Sequence, residues 1–293
     1  MTQIFKKLLA IALPLPLLAS CGSDDGYDAA VNTFQQKTGA LRGAAFGLAR
    51  NELALTLDDG PGPHTKGLAR YLEYKKIPAT FFVNFKNGVN GIDSPMGRDT
   101  MKTLCQSEYL DVGNHSDFHN TSSRAWSEIE RTHNFLLSHC AKSWMFFRSP
   151  GGNWKPTDAD VLNNTTDQNG LSLRTAYIGP VYWDYGGSAP QADWHPECRN
   201  NPNWCRTVYK EEIVAGGGAG IVLAHDIHAS TIEMLLGSDW RKLIENPAAP
   251  HAAGGLLHIM EQSGYRWVSL TQNKNIIVSL LGRPISLVGW SAN

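Results

Sequence analysis

The chain has 293 residues, 42% hydrophobic and 18% charged, with 28 glycines and 15 prolines, a globular composition that excludes disordered, collagenous and coiled-coil proteins. Its 26 basic and 27 acidic residues leave a net charge of −1, which argues against a nucleic-acid partner held by bulk charge. After the first two dozen residues no apolar run approaches the roughly twenty residues that a membrane-crossing helix needs.

Residues 1–20 read MTQIFKKLLAIALPLPLLAS, a signal segment in which Lys6 and Lys7 precede an apolar run at 8–18. Pro14 and Pro16 argue against a stable spanning helix. Leu18-Ala19-Ser20-Cys21 resembles a bacterial lipobox, which implies cleavage before Cys21 and lipidation of its thiol. The expected location is then the cell envelope, at the outer membrane or the periplasmic face, with Gly22 after the cysteine pointing to the outer membrane. Membrane contact is expected only through that lipid. An exported chain matures in an oxidising compartment. Cys105, Cys140, Cys198 and Cys205 form no C-x-x-C pair, so a structural zinc site is not expected. The short loop ECRNNPNWC favours a Cys198–Cys205 disulfide and leaves Cys105–Cys140; four free thiols are the alternative.

Residues 21–50 carry little strand signal and read as a tether with one short helix at most. A single domain over 51–293 follows. Strand-like stretches occur at 52–58, 79–84, 109–114, 144–149, 180–185, 220–225 and 266–270. Helix-compatible stretches occur at 65–76, 98–107, 124–140, 156–169, 206–216, 229–243 and 253–264. This alternation predicts an α/β fold with a parallel sheet or barrel, and seven strands suit a barrel.

Active sites in such folds gather at the C-terminal ends of strands. Here those ends carry Asp58-Asp59-Gly60-Pro61, then His115-Ser116-Asp117-Phe118-His119, then Arg148-Ser149-Pro150-Gly151-Gly152. Further on come Trp183-Asp184, with Asp193-Trp194 a short loop later, and Leu223-Ala224-His225-Asp226. His115 and His119 are four residues apart, so a helix starting after the third strand puts both imidazoles on one face. Two histidines and a carboxylate make a three-ligand metal set with open positions, which suits catalytic Zn²⁺ or a similar divalent ion. Asp58 and Asp59 alternate sides of their strand, so one can bind the metal while its neighbour faces the substrate.

TLDDGP, HSDFH, RSPGG, the late DW and LAHD, in that order, resemble the five motifs of the NodB-homology polysaccharide deacetylases, carbohydrate esterase family 4, over about residues 50–272. The resemblance implies a distorted (β/α) barrel and metal-dependent removal of N-acetyl or O-acetyl groups from glycans, with water on the metal as nucleophile. It implies Asp59, His115 and His119 as metal ligands, Asp58 as general base and Arg148 as the partner that holds Asp58 ionised. His225 matches the general acid for the leaving amine, Leu223 the wall of the acetyl-methyl pocket and Asp193 the carboxylate that positions His225. The Gly151 N–H is the expected second oxyanion donor, because RSPGG replaces a more usual tyrosine and leaves the backbone donor. Leu57 replaces a commoner phenylalanine at a core position.

The spacer GGSAPQA between Trp183-Asp184 and Asp193-Trp194 is longer than usual, so either aspartate is a candidate to orient His225; Trp194 after Asp193 favours the latter. Trp154, Trp183, Trp194 and Trp204 lie in or near motif loops, as core residues or as stacking faces for sugar rings, and Trp194 is taken as a substrate contact. The expected cofactor is one divalent ion, Zn²⁺ first, with Co²⁺ and Ni²⁺ open. The expected partner is an acetylated glycan: peptidoglycan, chitin oligomers, poly-N-acetylglucosamine or acetylated xylan. The chain is expected to be a monomer. Competing readings are a small-molecule amide or imide hydrolase on the same fold, a glycan-binding lipoprotein without turnover and a two-His-one-carboxylate Fe(II) oxygenase. The last of these does not use an adjacent second carboxylate or an α/β fold.

Overall fold

The computed structural model describes residues 41–122, 125–140, 142–249 and 254–281. The signal segment, Cys21 and most of the tether lie outside the described residues. The strands are β1 (Glu52–Asp58), β2 (Ala79–Val83), β3 (Leu110–Asn114), β4 (Met145–Phe146), β5 (Tyr177–Ile178), β6 (Gly220–His225) and β7 (Arg266–Trp267). The helices are α1 (Thr65–Lys75), α2 (Pro95–Cys105), α3 (Glu130–His139), α4 (Pro156–Asn163), α5 (Leu173–Ala176), α6 (Pro196–Asn200), α7 (Pro202–Ala215), α8 (Ala229–Leu236), α9 (Trp240–Glu245), α10 (Leu256–Gln262) and α11 (Lys274–Leu280).

β1 lies at the centre because every residue of ELALTLD is buried, as a strand covered on both faces requires. Leu53, Leu55 and Leu57 pack into the layer between sheet and helices, where each contributes about 1.5–3 kcal/mol. Ala54 belongs instead with Phe82, Phe146, Ile178, Val181 and Ile221, the cluster enclosed by the strands. By the period of two, Thr56 and Asp58 share the inner face with Ala54. Gly113 leaves room for that interior: a Cβ there would lie 2.8 Å from the Phe82 ring.

The main sheet runs β3-β2-β1-β6, all parallel, and β7 pairs with the start of β1. The parallel pair β4–β5 is tied to β3 by the Asn114–Phe147 bridge. A Tyr185–Val222 bridge returns the chain to β6, which closes the ring with one irregular side. The fold is thus the expected distorted barrel.

Several elements differ from expectation. The stretch 180–185 forms only the isolated bridges Leu41–Val181 and Tyr185–Val222, and the ladder pair falls earlier, at β5. Pro180 has no N–H to give a ladder. The helix expected over 229–243 is two helices, α8 and α9, because Gly237 sits between them at φ +93°, a conformation L side chains rarely adopt. Leu41, Phe46 and Leu48, read as tether, are buried in the inner cluster with Ile277 of α11, a helix the sequence pattern did not signal. The domain therefore includes residues from Leu41 onward. Both expected disulfides are present: Cys105–Cys140 ties the end of α2 to the end of α3, and Cys198–Cys205 ties α6 to α7. Among the described residues no helix is long and apolar enough to cross a membrane.

Candidate active site

The parallel register pairs Asp58 with His225 across β1 and β6, so the two groups stand side by side at neighbouring strand ends, about 4.8 Å apart along the sheet. Arg148 arrives from the other side: its N–H donates to the Asn114 carbonyl at 3.0 Å, beyond the end of β3. The guanidinium is fully buried. Its Nη1 donates to Asp58 Oδ1 and Thr56 Oγ1, each at 2.8 Å, its Nε to the Val181 carbonyl at 3.0 Å and its Nη2 to the Tyr182 carbonyl at 3.2 Å. The Phe82 ring lies 4.2 Å beneath it. A buried pair of this kind holds geometry, and removing one partner costs about 3–5 kcal/mol because the other charge is left uncompensated. Arg148 occupies Asp58 Oδ1 and leaves Oδ2 facing the neighbouring histidine, 3.6 Å from His115 Nε2.

Asp59 leaves the strand with φ +75°, and Ser116 and His119 have φ +76° and +54°. These are three of the five non-glycine residues with positive φ among the described residues. Such backbone persists where surrounding structure holds it, and its concentration here points to function. The expected helix from residue 115 does not exist. His115 and His119 are brought together by an irregular loop, and the next α-helix begins only at Glu130. The loop is held from every side. Asn84 Nδ2 donates to the carbonyls of His115 (2.5 Å) and Ser116 (3.1 Å). The Asp117 carboxylate accepts the Arg131 and Thr132 N–H groups at 2.9 and 2.8 Å, which caps the first turn of α3. The His119 N–H donates to Ser116 Oγ at 3.0 Å.

The outcome is a compact trio. Asp59 Oδ1 lies 3.4 Å from His115 Nε2 and 3.1 Å from His119 Nε2. His115 Nδ1 is 2.9 Å from the Arg148 carbonyl, which can only accept, so Nδ1 carries the proton and Nε2 presents a lone pair to Asp59. Asp59 Oδ1 is buried with no hydrogen-bond partner. Lone pairs gathered on one point repel unless a cation lies among them, so the residues present fit a divalent ion, and Asp59, His115 and His119 are the group that could hold it.

Asp193, not Asp184, orients His225. Its Oδ1 is 2.8 Å from His225 Nδ1, and its Oδ2 accepts the His225 N–H at 2.6 Å and the Thr231 hydroxyl at 2.7 Å. Asp184 accepts the N–H groups of Gly43 and Ile221, at the opposite end of β6. Burial opposes a charge on His225, but the Asp193 carboxylate, with Asp59 and Asp58 behind it, pushes the imidazole up to about 10. The reciprocal effect lowers Asp193 against its own burial.

Leu223 is buried two residues below His225 on β6. Gly151 is exposed at φ +60°, in a turn a glycine suits, and Trp194 is 42% exposed beside Asp193. Trp154 is a core residue, and Trp183 and Trp204 are half-buried. Sequence reasoning gave no role to Thr56, Asn84, Thr231 or Asp226. Asp226 was visible in LAHD; it accepts a hydrogen bond from Thr65, its Oδ1 has no partner, and burial pushes it up to about 7. Thr56, Asn84 and Thr231 carry no signal as lone polar residues in a strand, after a strand and in a helix. His228 caps α8 without a side-chain cap bond.

Comparison with known proteins finds polysaccharide deacetylases. The polysaccharide deacetylase family matches residues 48–169, which include the trio, Asp58, Arg148 and Gly151. A chitin deacetylase of Colletotrichum lindemuthianum is 28% identical over 193 residues, 62% of this chain and 70% of that protein. Its solved structure superposes with a TM-score of 0.53 at 21% identity, covering 76% of this chain and 87% of that one. A chitooligosaccharide deacetylase of Rhizobium leguminosarum bv. trifolii is 29% identical over 178 residues, 59% of this chain and 70% of that protein. The fold by itself does not report turnover: a CE4 family pseudoenzyme from Bacillus anthracis superposes equally well, with a TM-score of 0.52 at 16% identity over 76% of this chain and 65% of that one. The matched segment stops before Asp193 and His225, yet the barrel brings both to the mouth that holds the matched residues. Over residues 48–169 the chain is thus similar to the polysaccharide deacetylase family, and the two deacetylase relatives extend the similarity to about three fifths of its length.

Proposed function

We propose that the chain hydrolyses N-acetyl groups on an acetylated glycan of the cell envelope, with one divalent ion, Zn²⁺, held by Asp59, His115 and His119. The observation that carries this reading is the partnerless buried Asp59 Oδ1 facing two imidazole nitrogens, flanked by Asp58 and His225. When bound, the ion supplies Lewis acidity, which polarises a carbonyl and brings the pKa of water from 15.7 toward about 7. The chain's own residues do the rest. Asp58 Oδ2 takes the proton of the attacking water, while Arg148 keeps Oδ1 occupied and the carboxylate in place. The Gly151 N–H serves the developing oxyanion, as one such donor is worth about 2.7–4 kcal/mol. Leu223 walls the acetyl methyl group. His225, protonated at neutral pH through Asp193, gives its proton to the leaving amine. Trp194 offers an exposed aromatic face to a sugar ring beside that acid. The two deacetylases named above, of chitin and of chitooligosaccharides, support an N-acetylated sugar polymer as substrate.

Acetate release from chitin oligomers, poly-N-acetylglucosamine, peptidoglycan and acetylated xylan, with and without a chelator, tests the reading. Release from at least one N-acetylated glycan is expected, lost on chelation and restored by Zn²⁺. No release from any glycan, or release indifferent to chelation, overturns it.

The chain acts at the envelope as a monomer, exported and held by lipid at Cys21, with the segment before Leu41 as spacer. More than one acyl chain gives stable anchoring where a single chain binds only marginally. Cys21→Ala is expected to move the protein from the membrane fraction to the soluble fraction or to block processing. A wild-type protein that is soluble after export refutes the anchor and leaves the hydrolase reading intact.

A further inference from the structure

Directly behind the ligand loop runs a buried chain of polar side chains that the reaction does not touch. The strand period puts Leu110 and Val112 of β3 against the helix layer, and Asn114 shares their side, while His115 takes the opposite one. Asn114 Nδ2 donates to the Tyr177 hydroxyl at 2.8 Å and to the Ile129 carbonyl at 3.0 Å. Its Oδ1 accepts the Ser116 N–H at 2.8 Å, inside the ligand loop itself. The Tyr177 hydroxyl lies 2.9 Å from His133 Nδ1, and His133 Nε2 lies 3.2 Å from Asp167 Oδ2. The Asn169 and Leu171 N–H groups hold Asp167 Oδ1 at 2.8 and 2.7 Å. Asn114, His133 and Tyr177 are completely buried, and Asp167 is 6% exposed.

The donors and acceptors fit together in one direction only. Asp167 accepts, so His133 carries its proton on Nε2 and presents Nδ1 as an acceptor. Tyr177 then donates to Nδ1 and is left accepting from Asn114. The Tyr177 oxygen and the Ile129 carbonyl thus both take N–H groups of Asn114 Nδ2, which leaves Oδ1 to the Ser116 N–H. Burial holds the His133 imidazole below its ordinary value despite Asp167, which agrees with a neutral ring. We propose that Asp167, His133 and Tyr177 are positioning residues that act through Asn114 to hold the left-handed turn at Ser116, and with it His115 and His119, in the arrangement that receives the metal. The inference rests on Asp59, His115 and His119 holding a divalent ion.

Asp167→Asn keeps the shape and reverses the chain. An amide NH₂ facing His133 Nε2 favours the Nδ1–H tautomer, and the Tyr177 hydroxyl then loses His133 as its acceptor. Three readouts separate this from a loss of packing: the ¹⁵N shifts of His133, amide hydrogen exchange of residues 114–119 in metal-free protein, and Zn²⁺ affinity by chelator competition with the Co²⁺ absorption spectrum beside it. Partners behind a metal ligand typically change affinity by about 10- to 100-fold. The expected result is a switched tautomer, faster exchange confined to the loop and about tenfold weaker Zn²⁺ binding. Tyr177→Phe, which removes the middle of the chain, is expected to weaken binding as much and stands in should Asp167→Asn not fold. Leu162→Ala, a core truncation on α4 outside the chain, should lower the melting temperature and leave Zn²⁺ affinity within twofold. Unchanged loop exchange and affinity in Asp167→Asn and Tyr177→Phe, or equal weakening in Leu162→Ala, overturns the proposal. Wild-type protein that binds no ion defeats the metal reading instead, while loop exchange in metal-free protein still decides whether the chain positions the turn.

Discussion

Asp58→Asn is expected to retain the metal and to lose about 10²- to 10⁴-fold in kcat/KM, the range a positioned general base contributes. Asparagine keeps the shape, and its Oδ1 can still accept from Arg148 Nη1, now 2.8 Å from the carboxylate. It cannot take a proton. The neighbouring change acts differently: Asp59→Asn removes the charge from the atom that faces both imidazoles, so metal content and activity should fall together. Elemental analysis and acetate release on the two purified variants distinguish the roles. Metal lost in Asp58→Asn and kept in Asp59→Asn reverses the assignment. Stability should move as well, because Asp58→Asn leaves the buried guanidinium without its counter-charge, so the melting temperature belongs beside the kinetics.

The second large effect is expected at the acid. His225→Ala should lose about 10²- to 10⁴-fold in kcat/KM with the metal retained. Asp193→Asn tests how the acid is made. The imidazole is raised from 6.5 to about 10, against burial, chiefly by Asp193. With that charge removed, burial lowers the value, and the alkaline limb of the kcat/KM profile should move toward lower pH by about a unit or more. A cation against Asp59 cancels part of the field on His225, so the wild-type limb should lie below pH 10. The stability sign follows from the same shift. Because the folded value lies above the unfolded one, the pair contributes fully below pH 6.5, and its contribution is lost as pH rises through about 10. An alkaline limb that stays in place in Asp193→Asn, or moves in Asp184→Asn instead, refutes this assignment.

The amino-acid sequence by itself determined the parts of the site that depend on local pattern. The period of two in ELALTLD places Leu53, Leu55 and Leu57 toward the helices and leaves Asp58 on the inner face at the strand's end. The alternation of strands and helices specified the parallel fold, and the short Cys198–Cys205 spacing specified its own bridge, which left the other pair. Only the tertiary structure decided the rest. His-x₃-His suggested a helix, but the ligands converge through left-handed residues at Asp59, Ser116 and His119; Asn84 reaches the Ser116 carbonyl from after β2, Asn114 accepts the Ser116 N–H within the turn, and Asp117 ties the loop to α3. Local bonds at Ser116 and His119 are joined by long-range ones from Asn84 and to α3, and the second kind is not visible in the local sequence. In the sequence Trp194 favours Asp193 over Asp184, but nothing local shows which carboxylate reaches His225. Asp184 binds the Ile221 N–H at one end of β6 and Asp193 binds His225 at the other, roughly 13 Å along the strand at about 3.3 Å per residue. Which carboxylate reaches the acid is set by the height at which the returning chain meets β6, and that height is a property of the closed barrel rather than of either segment.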